Sequence, residues 1–261
     1  MPSTPDDKGH QSEKTRLVLR LPEVERAQFK KNFINTAVCE LRFPAILEYE
    51  TKQPIELQRA LRKEYPEYEK QQGVNVADPS DKEIKHVLKS RKGDWLVTIR
   101  TYSIAVQTSK YTRWSEFMDR LEYVVDKSLP LLDTDFFTRV GLRYINDVPL
   151  GEAGQPQGWI NDDLIAPIVR GIYGPVDRYV QEVRGPMSGG KFTFRHGITT
   201  IEKGKEPTYR LDFDFYEENV QADRALNLVT GFNKEAFKFF QWALGDKAKE
   251  RLGEPLSSGD K

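Results

Sequence analysis

The sequence predicts an α+β domain: antiparallel sheet, in one piece or two, with helices packed on one face. Three observations predict it. Runs of alternating apolar and polar residues cluster in two groups, at 84–107 and 178–216, separated by short turn-forming stretches. Each group is followed by a segment with the 3.6-residue period of an amphipathic helix, 114–129 and 226–252. The order also recurs, so that a β-α-β-β-β-α unit describes both 15–132 and 133–252, which suggests an internal duplication within one compact domain.

The elements follow in order. Residues 1–14 are rich in Ser, Pro, Asp and Lys and read as a disordered tail. Leu17 to Leu21 reads as a short strand, and Phe33 to Phe43 as the first convincing one, with Ala37, Cys39, Leu41 and Phe43 on one face and Val38, Glu40 and Arg42 on the other. Pro54 suits the first turn of a helix in which Leu57, Leu61 and Tyr65 share a face until Pro66 stops it. Glu67 to Pro79 is polar throughout and reads as an irregular connection. A meander follows: Ile84 to Arg91, the turn Lys92-Gly93-Asp94, Trp95 to Thr101 and Ser103 to Gln107. Trp114, Phe117, Met118, Leu121, Val125 and Leu129 then form a helical stripe, with Pro130 as its expected end.

At mid-chain, Arg139-Val140-Gly141-Leu142-Arg143-Tyr144-Ile145-Asn146-Asp147 reads as a strand. Its period puts Val140, Leu142 and Tyr144 on one side and Arg139, Gly141 and Arg143 on the other. After a Gly-, Pro- and Gln-rich loop and a short helix near 164–172, the second meander comprises Arg178 to Arg184, Lys191 to Thr199 and Pro207 to Tyr216, with turns at 185–190 and 202–205. The closing helical segment breaks at Gly231 or Gly245 and carries Phe232, Phe237, Phe240 and Leu244 on its main stripe, with Phe239 and Trp242 widening it. A tail, 253–261, completes the chain.

Composition narrows the function. Forty basic and forty acidic residues cancel, which argues against bulk electrostatic coating of nucleic acid or membrane. With no apolar run long enough to span a bilayer and no signal-peptide core near the start, the chain reads as cytoplasmic. A single cysteine, Cys39, allows no internal disulfide, and His10, His86 and His196 lie far apart, so a Cys- or His-rich metal site is poorly supported. The segment 82–110 holds seven basic residues against two acidic ones and is a candidate surface for nucleic acid. Lysines on an exposed strand also guard sheet edges, which is an equally available reading.

The candidate site is the polar side of the strands. Arg139 and Arg143 could grip phosphate or carboxylate, Gly141 would let a ligand approach the backbone, and Arg42, Arg100 and Glu40 share that face. Asp212 and Asp214 in Asp212-Phe213-Asp214 form a minimal pair for a metal ion. Ion pairing with carboxylates on neighbouring strands is the commoner outcome for such residues, and it accounts for the same pattern. No Gly-rich phosphate loop and no nucleophile elbow occurs, and no cofactor is expected.

Glu40-Leu41-Arg42-Phe43, Trp95-Leu96-Val97 with Tyr111-x-x-Trp114-x-x-Phe117, the run Gly141-Leu142-Arg143-Tyr144-Ile145-Asn146, and a Phe-rich closing helix with Trp242 together resemble a sporadically distributed, functionally unassigned prokaryotic family of about this length. The resemblance spans about residues 31–252 and implies no activity; its patchy distribution implies defence or regulatory roles. The family's usual His near the start of the final helical region has no counterpart here. The leading expectation is a non-enzymatic recognition domain binding a protein partner or small anionic ligand on the polar sheet face. The alternative is a metal-dependent enzyme acting on phosphate esters or nucleic acid. A structural subunit, oligomerising through an apolar patch around Phe239 and Trp242, is the third.

Overall fold

Among the described residues, nine strands pair into one antiparallel sheet in the order β2 (Glu67–Val74), β3 (Lys82–Lys89), β4 (Trp95–Arg100), β5 (Ser103–Thr108), β1 (Ile34–Arg42), β6 (Phe136–Pro149), β9 (Thr208–Gln221), β8 (Gly190–Ile198) and β7 (Tyr179–Met187). The computed structural model describes residues 18–74, 82–151, 154–174, 176, 178–198 and 206–256. The tail expected at 1–14, the turn at 202–205 and the final part of the closing tail, 257–261, lie outside them. The first half runs β1 (Ile34–Arg42), α1 (Glu48–Thr51), α2 (Ile55–Leu61), β2 (Glu67–Val74), β3 (Lys82–Lys89), β4 (Trp95–Arg100), β5 (Ser103–Thr108) and α3 (Trp114–Leu132). The second runs β6 (Phe136–Pro149), α4 (Asp162–Val169), β7 (Tyr179–Met187), β8 (Gly190–Ile198), β9 (Thr208–Gln221), α5 (Ala225–Ala243) and α6 (Asp246–Leu252).

Alternation in the strands is what makes the sheet two-sided. One row of register partners, Trp95, Thr108, Ala37, Tyr144, Phe213 and Phe194, crosses six strands on the same side, and every member is buried. On that side α3 sets Phe117 against Trp95 at 5.8 Å, and α5 sets Phe239 on Phe213 at 5.1 Å and Phe232 on Phe215 at 6.4 Å. The aromatic and Leu stripes of the two long helices are thus buried by the face whose strand positions are apolar.

Several boundaries differ from the sequence reading. Glu67–Val74 is a strand, not an irregular connection. Glu67 to Gln72 lie exposed on both faces of this edge strand, so burial imposes no alternation on them. The hairpin turn after β7 is tighter than the expected 185–190: Met187 pairs with Gly190, leaving Ser188 and Gly189 as the turn. Pro186 sits in β7 because an edge position does not require its N–H. Pro130 lies within the last turn of α3, which continues to Leu132 and stops at Asp133 in a left-handed conformation, φ 46°. The closing helices part at Leu244–Gly245, not at Gly231. Leu19 to Leu21 form no strand; the Leu19 N–H donates a single bond, 3.0 Å, to the Pro186 carbonyl.

Candidate functional site

The two sides of the mid-chain strand β6 have different work. On the polar side the carboxylates of neighbouring strands meet its arginines. Arg143 makes a two-pronged contact with Asp212, Nε to Oδ1 and Nη2 to Oδ2 at 2.7 Å each. Arg139 Nη2 donates to both oxygens of Asp214 at 2.9 Å. Glu40 lies among three guanidiniums: Arg42 Nε at 2.7 Å, with Arg100 and Arg139 at 3.5 Å. Arg210 forks onto Asp147 at 2.8 and 3.0 Å, and Arg195 bonds Glu182 while lying 4.0 Å from Asp212. An ion-pair lattice therefore runs from β4 to β7.

These contacts reassign the residues singled out from sequence. The guanidiniums of Arg139 and Arg143 are engaged by Asp214 and Asp212, and those carboxylates direct their oxygens at the arginines. Donating to Asp212 raises the Arg143 pKa further, which keeps the guanidinium charged. Among the described residues no group of three or more His, Cys, Asp or Glu is placed to hold a metal ion. Gly141 does keep its backbone open, but for the protein's own use: a Cβ there would lie 2.8 Å from Arg139 Cζ. The Arg139 side chain crosses the strand at that point, over the Tyr216 ring at 4.6 Å, to reach Asp214. Lys89 and Arg100, from the basic segment, pair with Glu69 and Glu40. A shallow basin on this face, about 450 Å³, is lined by Gln71, Lys85, Lys89, Thr98, Arg100 and Gln107.

The other side of β6 opens into a cavity of about 370 Å³. Its floor is Ile34 of β1, Tyr144 and Asn146 of β6, and Phe213 of β9; one wall is Tyr111 to Ser115 at the start of α3, and the other is Asn233, Ala236, Phe237 and Phe240 of α5. Residues of 26–32 and Leu252 form the rim. This is a half-open, mostly apolar cleft with a few convergent polar groups, a kind of space that small-molecule sites favour.

Those polar groups form a connected set. Tyr144, buried beneath the cavity, places its hydroxyl 3.0 Å from the Asn233 side-chain amide. In the amide orientation that satisfies both neighbours, Asn233 Nδ2 donates to the Tyr144 oxygen and Oδ1 accepts from Arg26, 3.1 Å from Nη1. Tyr111 meets Tyr144 edge-on at 5.7 Å and is the partner left for its hydroxyl proton. Burial raises the Tyr144 pKa well above that of an ordinary tyrosine, so the hydroxyl stays protonated and available as a donor. Asn146 Nδ2 donates to the Leu211 carbonyl at 3.3 Å. Cys39 is fully buried and its thiol pKa is raised by desolvation, which makes it inert packing.

The sequence reading placed Tyr144 on the apolar side but missed the cavity. One signal was available: Val229, Asn233, Ala236 and Phe240 share a helical face, and an Asn and an Ala in a stripe of large apolar residues mark a position that is polar and under-filled. The apolar patch around Phe239 and Trp242 that would indicate a structural subunit is not there: Phe239 is buried against Phe194 at 4.6 Å, with Trp242 packed on it at 5.6 Å. Compared with known proteins, the chain matches no family model and no curated protein.

Proposed function

We propose that this chain is a recognition domain for a small molecule, held in the cavity between α3 and α5 and floored by Tyr144 and Asn146. The observation that carries this reading is the cavity itself: about 370 Å³ of half-open, largely apolar space lined by two buried amides and a protonated phenol. At ~30 Å³ per water, that space is worth about a dozen waters. The run Gly141 to Asn146 then has two roles. Arg143 belongs to the ion-pair lattice, while Tyr144 and Asn146 face the ligand.

The position of the cavity fits an origin by duplication. β1 pairs with β5, the last strand of its own half; β6 pairs with β9, the last of the other; and β1 pairs antiparallel with β6. Helix α3 ends the first half and α5 is the first of two helices that end the second, so the cavity falls between α3 and α5 over the seam; among the described residues the first half has one strand more than the second, the edge strand β2. A superposition of 34–132 on 136–252 that set the helices in unrelated places would remove this part of the reading.

The test is binding of an uncharged fluorescent naphthalene, N-phenylnaphthylamine, to the folded protein. Saturable binding is expected, weakened tenfold or more in Ala236→Trp, whose indole occupies the cavity, and less in Ala236→Leu. Absence of saturable binding to wild type, or equal binding to Ala236→Trp, overturns the reading. A second reading, an anion on the polar sheet face, rests on the basin beside Lys85, Lys89 and Arg100. It requires salt-sensitive binding of a polyanion that Lys85→Gln and Lys89→Gln together abolish.

A further inference from the structure

Charge is distributed unevenly around the cavity. Its lining includes Arg26, Lys31 and Arg113, and no Asp or Glu. The chain as a whole has forty residues of each sign, so a boundary carrying three cations and no anion departs from the surrounding surface. On the polar sheet face the arginines named above all meet carboxylates. Here the side-chain contact of Arg26 is the neutral Asn233 amide, and none of the three cations joins an ion pair among the described residues.

All three cations are exposed, so they sit at the mouth of the cavity, while the floor beneath them is buried and apolar apart from Tyr144, Asn146 and Asn233. The first turn of α3, a 19-residue helix, is at the same mouth and has no side-chain cap on its amides. That turn also carries Glu116, whose carboxylate accepts from the Thr112 hydroxyl and offsets the helix dipole, so the positive field at the mouth comes from the three cations. A neutral apolar ligand would use the floor and leave the mouth unanswered. A strongly polar anion would use the mouth and leave the aromatic walls dewetted for nothing.

From these placements we infer that the ligand is an amphiphilic anion: an aromatic or acyl body carrying one carboxylate, sulfonate or phosphate group. The body lies against Tyr111, Tyr144, Phe237 and Phe240, and the anionic group faces Arg26 and Arg113, with Lys31 beyond. Guanidiniums present paired N–H donors to such oxygens, and charge complementarity at a partly desolvated mouth sets both orientation and affinity. This inference rests on the cavity being the ligand site.

The experiment compares two dyes of one skeleton, anilinonaphthalene sulfonate and its uncharged parent N-phenylnaphthylamine, on the full chain. In Lys31→Gln/Arg113→Gln, which leaves the Arg26 contact to Asn233 in place, the sulfonate is expected to bind roughly tenfold or more weakly, the scale of losing cations a few ångströms from an anion, while the uncharged dye changes less than twofold. On wild type, rising salt should weaken the sulfonate alone. Near-ultraviolet circular dichroism and the thermal midpoint confirm that the double variant is folded, and the two single substitutions provide the same readout if it is not. Sulfonate binding unaffected by the substitutions and by salt overturns the inference and leaves the cavity as an uncharged site. Equal weakening of both dyes also overturns it, since the cations would then be shaping the cavity and not reading charge. Failure of both dyes on wild type removes the cavity reading itself.

Discussion

Replacing Gly141 with Ala tests the division of labour between the two sides of the mid-chain strand. Backbone strain does not enter, because Gly141 lies in regular strand geometry and does not adopt a positive φ. The new Cβ would meet the Arg139 guanidinium, 2.8 Å from Cζ, and Arg139 would have to leave the groove above the strand. It would then lose both 2.9 Å contacts to Asp214, the 3.5 Å approach to Glu40 and its place over Tyr216. The pair is well shielded, with the Arg139 and Asp214 side chains 16% and 22% exposed. Charge-assisted contacts of this kind contribute about 1.5–3 kcal/mol, and an exposed cation–π contact ~0.5–1 kcal/mol more. Against that, Ala in a strand regains about 0.5–1 kcal/mol of the backbone entropy that Gly forfeits. The net cost is about 2 kcal/mol, which in a chain of this size lowers the thermal midpoint by ~4–8 °C. The assay is a double-mutant cycle read by thermal or urea unfolding: Gly141→Ala should be costly in wild type and neutral or slightly stabilising with Arg139→Gln, whose side chain does not reach across. An equal cost in both backgrounds would show that Gly141 serves something other than the passage of Arg139.

Two further predictions concern buried groups away from the cavity. His196 is buried, stacks on Phe194 at 4.7 Å and lies 2.7 Å from the Tyr209 hydroxyl, and desolvation lowers its pKa from 6.5 to about 4. Between those values the unfolded chain takes up a proton that the folded chain refuses, so stability is full above pH 6.5 and falls as the pH drops toward 4, by about 3 kcal/mol in all. Urea midpoints across that range should show this slope, and His196→Gln should flatten it; an unchanged slope would assign the acid sensitivity to other groups. Cys39 should react with a thiol reagent only as fast as the protein unfolds, and rapid labelling under native conditions would contradict its placement in the core.

Much of the scaffold was legible because burial enforces a period. Strands β1, β4, β6 and β9 have one buried face, and their apolar positions alternate accordingly. Helix α3 was equally plain, since its stripe from Phe117 through Leu121 to Val125 is buried against the sheet. Strand β2 was illegible for the converse reason: an edge strand held by its backbone ladder to β3 needs no apolar residue, and Glu67 to Gln72 has one aromatic and no alternation. The arginines of β6 could be seen to need partners, but not which. Arg143 lies directly opposite Asp214 yet bonds Asp212, and Arg139 faces Glu218 yet reaches Asp214. Such diagonal choices depend on the space over Gly141 and on side-chain reach, which period alone does not encode. The cavity was hidden because it is a shortage of volume at Asn233 and Ala236, which lie 89 or more positions beyond Tyr144 in the sequence.

The central claim is that the space over Tyr144 is where this protein holds a ligand, and the most direct measurement is a crystal structure of the protein grown with anilinonaphthalene sulfonate. The account predicts dye density between α3 and α5, its rings against Tyr111 and Phe240 and its sulfonate toward Arg26 and Arg113. Density confined to the ion-paired face beside Arg139 and Arg143, with the α3–α5 cavity empty, would contradict it.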